Sequence, residues 1–306
     1  MLGLIILSAG AEALIKGAIR MARFWKVSPI VTGLTIVAFG TSAPEMGVAL
    51  SAALSGQPDI TMGNILGSNI ANTGLILGLG ALLTPLTVRL RMLRIEIPLL
   101  IVASMALWAF ATSGHLGCPA GPILLITFTA YCVTLYRHSR KEPYMLQVEF
   151  EKSLSNKDSF WFDLVLVMAG LAGLVIGSKT LVWGGENIAA YLGIPGLIVG
   201  LIMTAIGTSL PELATTVVAA RKGHTDLILG NVIGSNLSNL CAVLGVTACI
   251  TPIDINPDLL HRDFPVMVAF SLVLLPVMRI GMKVNRWEGA ALLLSYSVYI
   301  IFLTVF

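Results

Sequence analysis

A chain of 306 residues with 56% hydrophobic and 11% charged residues, and a mean hydropathy of +0.89, is excluded from the soluble globular class, in which about a quarter of residues are charged. The net charge of +3 comes with no basic stripe interleaved with aromatics, which excludes a nucleic-acid surface. An integral membrane protein remains.

A spanning helix needs about 20 mainly apolar residues, and ten such stretches follow along the chain: 2–24, 29–54, 60–86, 95–113, 119–136, 161–190, 195–220, 226–251, 263–280 and 287–305. The first contains Glu12 and Lys16 and has no basic leader, so it reads as a retained helix rather than a cleaved signal. The second carries Gly40-Thr41-Ser42-Ala43-Pro44-Glu45 and the third Gly63-Asn64-Ile65-Leu66-Gly67-Ser68-Asn69. Between the fifth and sixth lies the one sizeable hydrophilic segment, 138–159, which reads as a cytoplasmic linker.

Both motifs recur 167 positions later, as Gly207-Thr208-Ser209-Leu210-Pro211-Glu212 and Gly230-Asn231-Val232-Ile233-Gly234-Ser235-Asn236. The expected organisation is a first five-helix repeat over 1–137, the linker, and a second repeat over 160–306. Seventeen of the nineteen Lys and Arg residues fall on alternate connections, all but Lys179 and Arg262. By the positive-inside rule those connections are cytoplasmic and both termini outside. An odd number of spans per half then inverts the second repeat. The fold expected is all-α, with ten transmembrane helices in two inverted repeats and broken helices at the midplane, the pattern of secondary transporters.

The breaks follow from proline. Pro44 has no amide hydrogen for the carbonyl of Gly40, and Pro211 has none for Gly207. Within a membrane such a break survives only where it is buried in protein or lines a cavity. Freed carbonyls, the hydroxyls of Thr41, Ser42, Thr208 and Ser209, and the Glu45 and Glu212 carboxylates form an all-oxygen surface suited to hard cations such as Ca2+ and Na+. Ionisable groups within a membrane are functional candidates by default. Ser68 with Asn72, and Ser235 with Asn239, share helix faces that inversion would bring against the breaks. Asn64, Asn69, Asn231 and Asn236 read as residues that cap or bridge helices, Asp59 and Asp226 as helix caps, and Glu96 and Asp263 as membrane-boundary residues. Cys118, Cys132, Cys241 and Cys249 have no ligand spacing and read as packing residues.

The duplicated G-T-S-x-P-E and G-N-x-x-G-S-N motifs resemble those of the cation/calcium exchanger superfamily, in its prokaryotic sodium/calcium exchanger-like branch, over essentially the whole chain. The resemblance implies Glu45 and Glu212 as ligands of Ca2+ that share in Na+ sites, with the backbone carbonyls of Thr41 and Thr208 completing the Ca2+ site. It also implies Ala38, Ser42, Ser68, Ala205, Ser209 and Ser235 at flanking Na+ sites, and sliding of the first and sixth helices over a core. Asn72 matches the family pattern, whereas Asn239 stands where many relatives carry Asp, leaving two carboxylates. The expected function is Ca2+ exchange against Na+ in a prokaryotic inner membrane, with no enzymatic step and no cofactor. Ca2+/H+ antiport is the rival, since protons compete for carboxylates. A channel and a serine hydrolase are disfavoured, the latter because neither motif offers a His or Lys base.

Overall fold

The computed structural model describes residues 1–25, 27–139, 160–191 and 207–305. Most of the expected linker, the start of the expected 195–220 span, and Ala205 therefore lie outside the described residues. The helices are α1 (Leu2–Trp25), α2 (Ile30–Thr41), α3 (Ala43–Leu54), α4 (Pro58–Leu83), α5 (Met92–Ala111), α6 (Ala120–Ser139), α7 (Phe160–Tyr191), α8 (Leu210–Arg221), α9 (Thr225–Ile250), α10 (Pro257–Arg279) and α11 (Arg286–Val305). Among the described residues seven are long and apolar enough to cross a membrane, or eight if α2 and α3 form one bent span.

Expected boundaries hold to within a few residues except at α10, which begins at Pro257 rather than 263. Asn256 caps it by accepting the Asp258 amide at 3.0 Å, and proline suits a first helical turn because its missing N–H would have no partner there. The described residues are helical as expected, and two short strand pairs close the ends of the bundle. In one, β1 (Leu86–Thr87) pairs with β4 (Lys283–Val284), and in the other β2 (His115–Leu116) pairs with β3 (Ile253–Asp254), both antiparallel. Each unites residues from the two halves.

The core centres on the helices that carry the second motif. The most apolar stretch of α9 is buried throughout and that of α4 over 78% of its length, against 17% for α6. A separate apolar cluster of Leu7, Ala11, Leu14, Ala18, Val167 and Leu174 joins α1 to α7. Here glycine is required by close approach. A Cβ on Gly3 would lie 2.8 Å from the Leu181 amide, on Gly10 2.7 Å from that of Leu174, and on Gly170 2.5 Å from that of Leu14. The register runs antiparallel, although α1 and α7 are counterparts in the repeat. Polar ties supplement the packing: Arg20 reaches Asp163 at 3.4 Å, and Lys222, just after α8, reaches Glu12 at 2.5 Å.

Other contacts also obey the 167-residue offset. Ser104 and its counterpart Ser271 share a hydrogen bond of 3.1 Å. Arg89 pairs with Asp226, and their counterparts Asn256 and Asp59 are joined at 3.3 Å. Asp59 and Asp226 thus do not cap helices as expected. The residues at the cap positions are Gln57 and His224, and the aspartates lie in the first turn, where the helix dipole favours them and their carboxylates face outward partners. Glu96 and Asp263 are buried and held by arginines, Arg91 and Arg262, each at 3.1 Å, with the Tyr299 hydroxyl also bonded to Asp263. All four cysteines are free thiols, but only Cys241 is buried in the core, while Cys118 and Cys249 are exposed.

A candidate cation site at two crossed helix breaks

The helix α2 ends at Thr41, Ser42 adopts φ −80°, ψ 5°, and α3 leaves at a bend of 42°. Ser209 repeats the same backbone at φ −86°, ψ 5° immediately before α8. In both, the proline falls in the first turn of the second segment and the glutamate beside it. That turn has amide groups without intrahelical partners, an electropositive environment for a carboxylate. The expected break at Pro44 is therefore present, and the local geometry around Pro211 matches it.

Glu45 and Glu212 are fully buried. Each is held by the opposite half: Ser42 Oγ donates to Glu212 Oε1 at 3.3 Å, and Ser209 Oγ donates to Glu45 Oε1 at 3.4 Å. The hydroxyls of Thr41 and Ser235 also lie against the Glu212 carboxylate. The second oxygen of each glutamate has no hydrogen-bond partner among the described residues.

Asn72 and Asn239 add to this inventory. Both are fully buried, and none of their four side-chain polar atoms has a hydrogen-bond partner among the described residues. Asn72 opens a π-helical turn in α4, and Asn239 lies in one in α9. Such turns carry an extra residue and are frequent at functional sites. The α3 segment with Glu45 packs on the turn holding Asn239, and α8 with Glu212 packs on the turn holding Asn72.

Of the remaining expected residues, Thr208 is buried and its hydroxyl has no hydrogen-bond partner among the described residues, Ser68 is buried on α4, and Ser235 donates to the Ala38 carbonyl at 3.4 Å. That carbonyl already accepts the Ser42 amide at 3.0 Å. A Cβ on Gly230 would meet the Ile30 carbonyl at 2.6 Å, and one on Gly234 would meet Leu34 Cα at 2.7 Å. The second-motif glycines thus allow α9 to lie directly on α2.

Three of the four motif asparagines act as bridges between segments. Asn231 accepts from Thr41 at 3.2 Å and donates to Thr215 at 3.2 Å. Asn236 donates to Thr73 at 2.9 Å, and Asn64 to the Glu45 carbonyl at 3.0 Å. Asn69 instead bonds within its own helix, to Ile65. Reading by motif alone misses Thr215 and Thr73. The signal available was a break in the repeat, since their counterparts are Val48 and Leu240.

Buried polar atoms are nearly always hydrogen-bonded, so a cluster of unpartnered oxygens around two carboxylates is a candidate place for cations. A many-helix membrane protein built around such a cluster is a cation transporter. The chain belongs to the sodium/calcium exchanger protein family, whose model matches residues 1–137 and 162–305. It is 39% identical to the putative antiporter CaxA of Alkalimonas amylolytica over 98% of this chain and 95% of that one. It is 32% identical to the sodium/calcium exchanger MaX1 of Methanosarcina acetivorans over 99% and 97% of the two chains. Among solved structures, the sodium-calcium exchanger NCX_Mj superimposes with a TM-score of 0.84 at 32% identity, covering 98% of this chain and 95% of that one.

Proposed function

We propose that this member of the family exchanges Ca2+ for Na+ by alternating access, with Ca2+ extrusion driven by the Na+ gradient. The observation that carries the reading is the crossed pairing of Ser42 with Glu212 and Ser209 with Glu45. Two carboxylates balance one Ca2+ or two Na+, and the surrounding hydroxyl and amide oxygens offer further positions for the weakly charged ion. Loading with either species satisfies the buried charge, whereas an empty pair of glutamates resists burial in a closed site.

Glu45, Glu212, Thr41, Thr208, Ser42, Ser209, Ser68, Ser235, Asn72, Asn239, Ala38 and Ala205 are the proposed ligand set. The proposed architecture is ten spans in two inverted repeats, 1–137 and 160–306, joined by a cytoplasmic linker, 138–159. Three observations support inversion. The counterpart helices α1 and α7 lie antiparallel, Ser104 meets its own counterpart Ser271 as residues near a two-fold axis do, and the strand pairs β1–β4 and β3–β2 exchange under the repeat. Arg89, beside Asp226, has the uncharged Asn256 as its counterpart beside Asp59, so at these matched positions the positive charge falls on the former side, which supports a cytoplasmic face there. That orientation would put both termini outside, and the proposed location is the inner membrane.

The test is uptake of radiolabelled Ca2+ into proteoliposomes loaded with Na+, beside K+-loaded and pH-gradient controls. Uptake that requires internal Na+ supports the reading. Uptake driven only by a pH gradient replaces it with Ca2+/H+ antiport.

A further inference from the structure

The two halves of the site are wired differently, and the difference traces to one residue. In the first half, Asn64 donates directly to the Glu45 carbonyl at 3.0 Å. In the second half the Thr215 hydroxyl stands between the asparagine and the matching carbonyl, its one proton shared between the Glu212 and Pro211 carbonyls, each at 2.9 Å. Asn231, the counterpart of Asn64, therefore donates to Thr215 instead, at 3.2 Å. Its amide oxygen is left pointing at the other half, where it accepts the Thr41 hydroxyl at 3.2 Å, in competition with the Ala38 carbonyl of the same helix at 3.3 Å. The counterpart of Thr215 is Val48, which cannot donate or accept. In agreement, Thr41 is held from across the site, and Thr208, its counterpart, has a hydroxyl without a hydrogen-bond partner among the described residues.

We infer that Thr215 is a positioning residue: by orienting the Asn231 amide it holds Thr41 at the first helix break in register with Glu212, and so sets the affinity of the site for Ca2+. Thr215 does not touch the ion. It forms a relay from the backbone of one break, through Asn231, to the side chain at the other. Thr215, Asn231 and Thr41 are all buried, where a hydrogen-bond network is most sensitive to loss of a member. The inference rests on the exchange reading of the same site.

The experiment compares wild type, Thr215→Val, Thr215→Ser, Thr41→Val and the double variant Thr41→Val/Thr215→Val. Na+-driven Ca2+ uptake is measured in proteoliposomes, and Ca2+ binding to the purified proteins by calorimetry. Val matches Thr in shape and is the native residue at the counterpart position, so Thr215→Val removes the hydroxyl alone. The expected result is a Ca2+ half-saturation raised about two- to tenfold, the size of one lost hydrogen bond, with the maximal rate little changed. Ser should restore the wild-type value, and Thr41→Val should add little in the double variant because both act through Asn231. The reverse pattern, in which Ser shifts the affinity and Val does not, means that Thr215 only packs, and overturns the inference. So does full additivity with Thr41→Val. Binding reports on a variant that folds but does not transport. A wild type without Na+-driven uptake overturns the exchange reading itself, separately from any variant.

Discussion

Ser42 of the first half donates to Glu212 of the second at 3.3 Å, and the relation is returned by Ser209 and Glu45 at 3.4 Å. Neither repeat can therefore assemble its own carboxylate environment. Each motif supplies a carboxylate to one pairing and a hydroxyl to the other, so a cation bound as proposed would draw on both repeats at once.

Replacing either carboxylate should be severe. Leaving one buried charge without its partner ion costs roughly 3–5 kcal/mol, so Glu45→Gln or Glu212→Gln should lower Ca2+ affinity at least about a hundredfold. Calorimetric titration of the purified variants checks this, and near-normal binding in either would place the site elsewhere.

The serines should matter less and equally. Hydrogen bonds to charged groups are worth about 1.5–3 kcal/mol, so Ser42→Ala and Ser209→Ala should each weaken cation binding by roughly ten- to a hundredfold. Similar losses in the two variants are the signature of the crossed arrangement, and a loss confined to one would contradict it.

Gly170→Ala should disrupt the seam between α1 and α7, because its Cβ would sit 2.5 Å from the Leu14 amide and no side-chain movement relieves a clash with backbone. Overpacking of this kind costs about 1–3 kcal/mol. A lowered thermal midpoint in detergent is the expected outcome, and an unchanged midpoint would mean that the seam is looser than described.

Acid should weaken the fold partly through His224, in the connection between α8 and α9. Burial, with Lys222 nearby, holds its imidazole below the ordinary value of 6.5. The unfolded chain then binds the proton more readily, so stability rises with pH across this window. The contribution is present above about 6.5, is lost as pH falls through that value, and levels off below the depressed folded value. Thermal midpoints between about pH 5 and 8 should fall less on acidification in His224→Gln than in wild type.

Much of this protein was legible before any coordinates. Proline after the G-T-S triplet forecast the helix breaks because a missing amide hydrogen has the same effect in any tertiary context. The recurrence of both motifs marked Glu45 and Glu212 because a charge within an apolar segment is too costly to persist by chance. Helix positions followed from hydrophobic length. The start of α10 was misplaced because its first turn is polar and only its Asn256 cap reveals it. Asp59 and Asp226 read as caps in the sequence because an acidic residue near a helix start fits that role locally, whereas their partners Asn256 and Arg89 are distant in sequence.

By itself, then, the sequence determined the membrane class, the duplicated halves, the two breaks and the chemical identity of the oxygens around them. These are local properties: residue type, apolar length and the geometry that proline imposes on its own turn. Only the tertiary structure decided that each glutamate is held by the serine of the other half, that the turns carrying Asn72 and Asn239 pack on the glutamate-bearing segments of the opposite halves, and that Thr215 makes the two half-sites unequal. Those relations join residues more than 150 positions apart or depend on which of two acceptors an amide can reach. Hydrogen-bond direction and helix-on-helix register settle them once the two repeats are packed together.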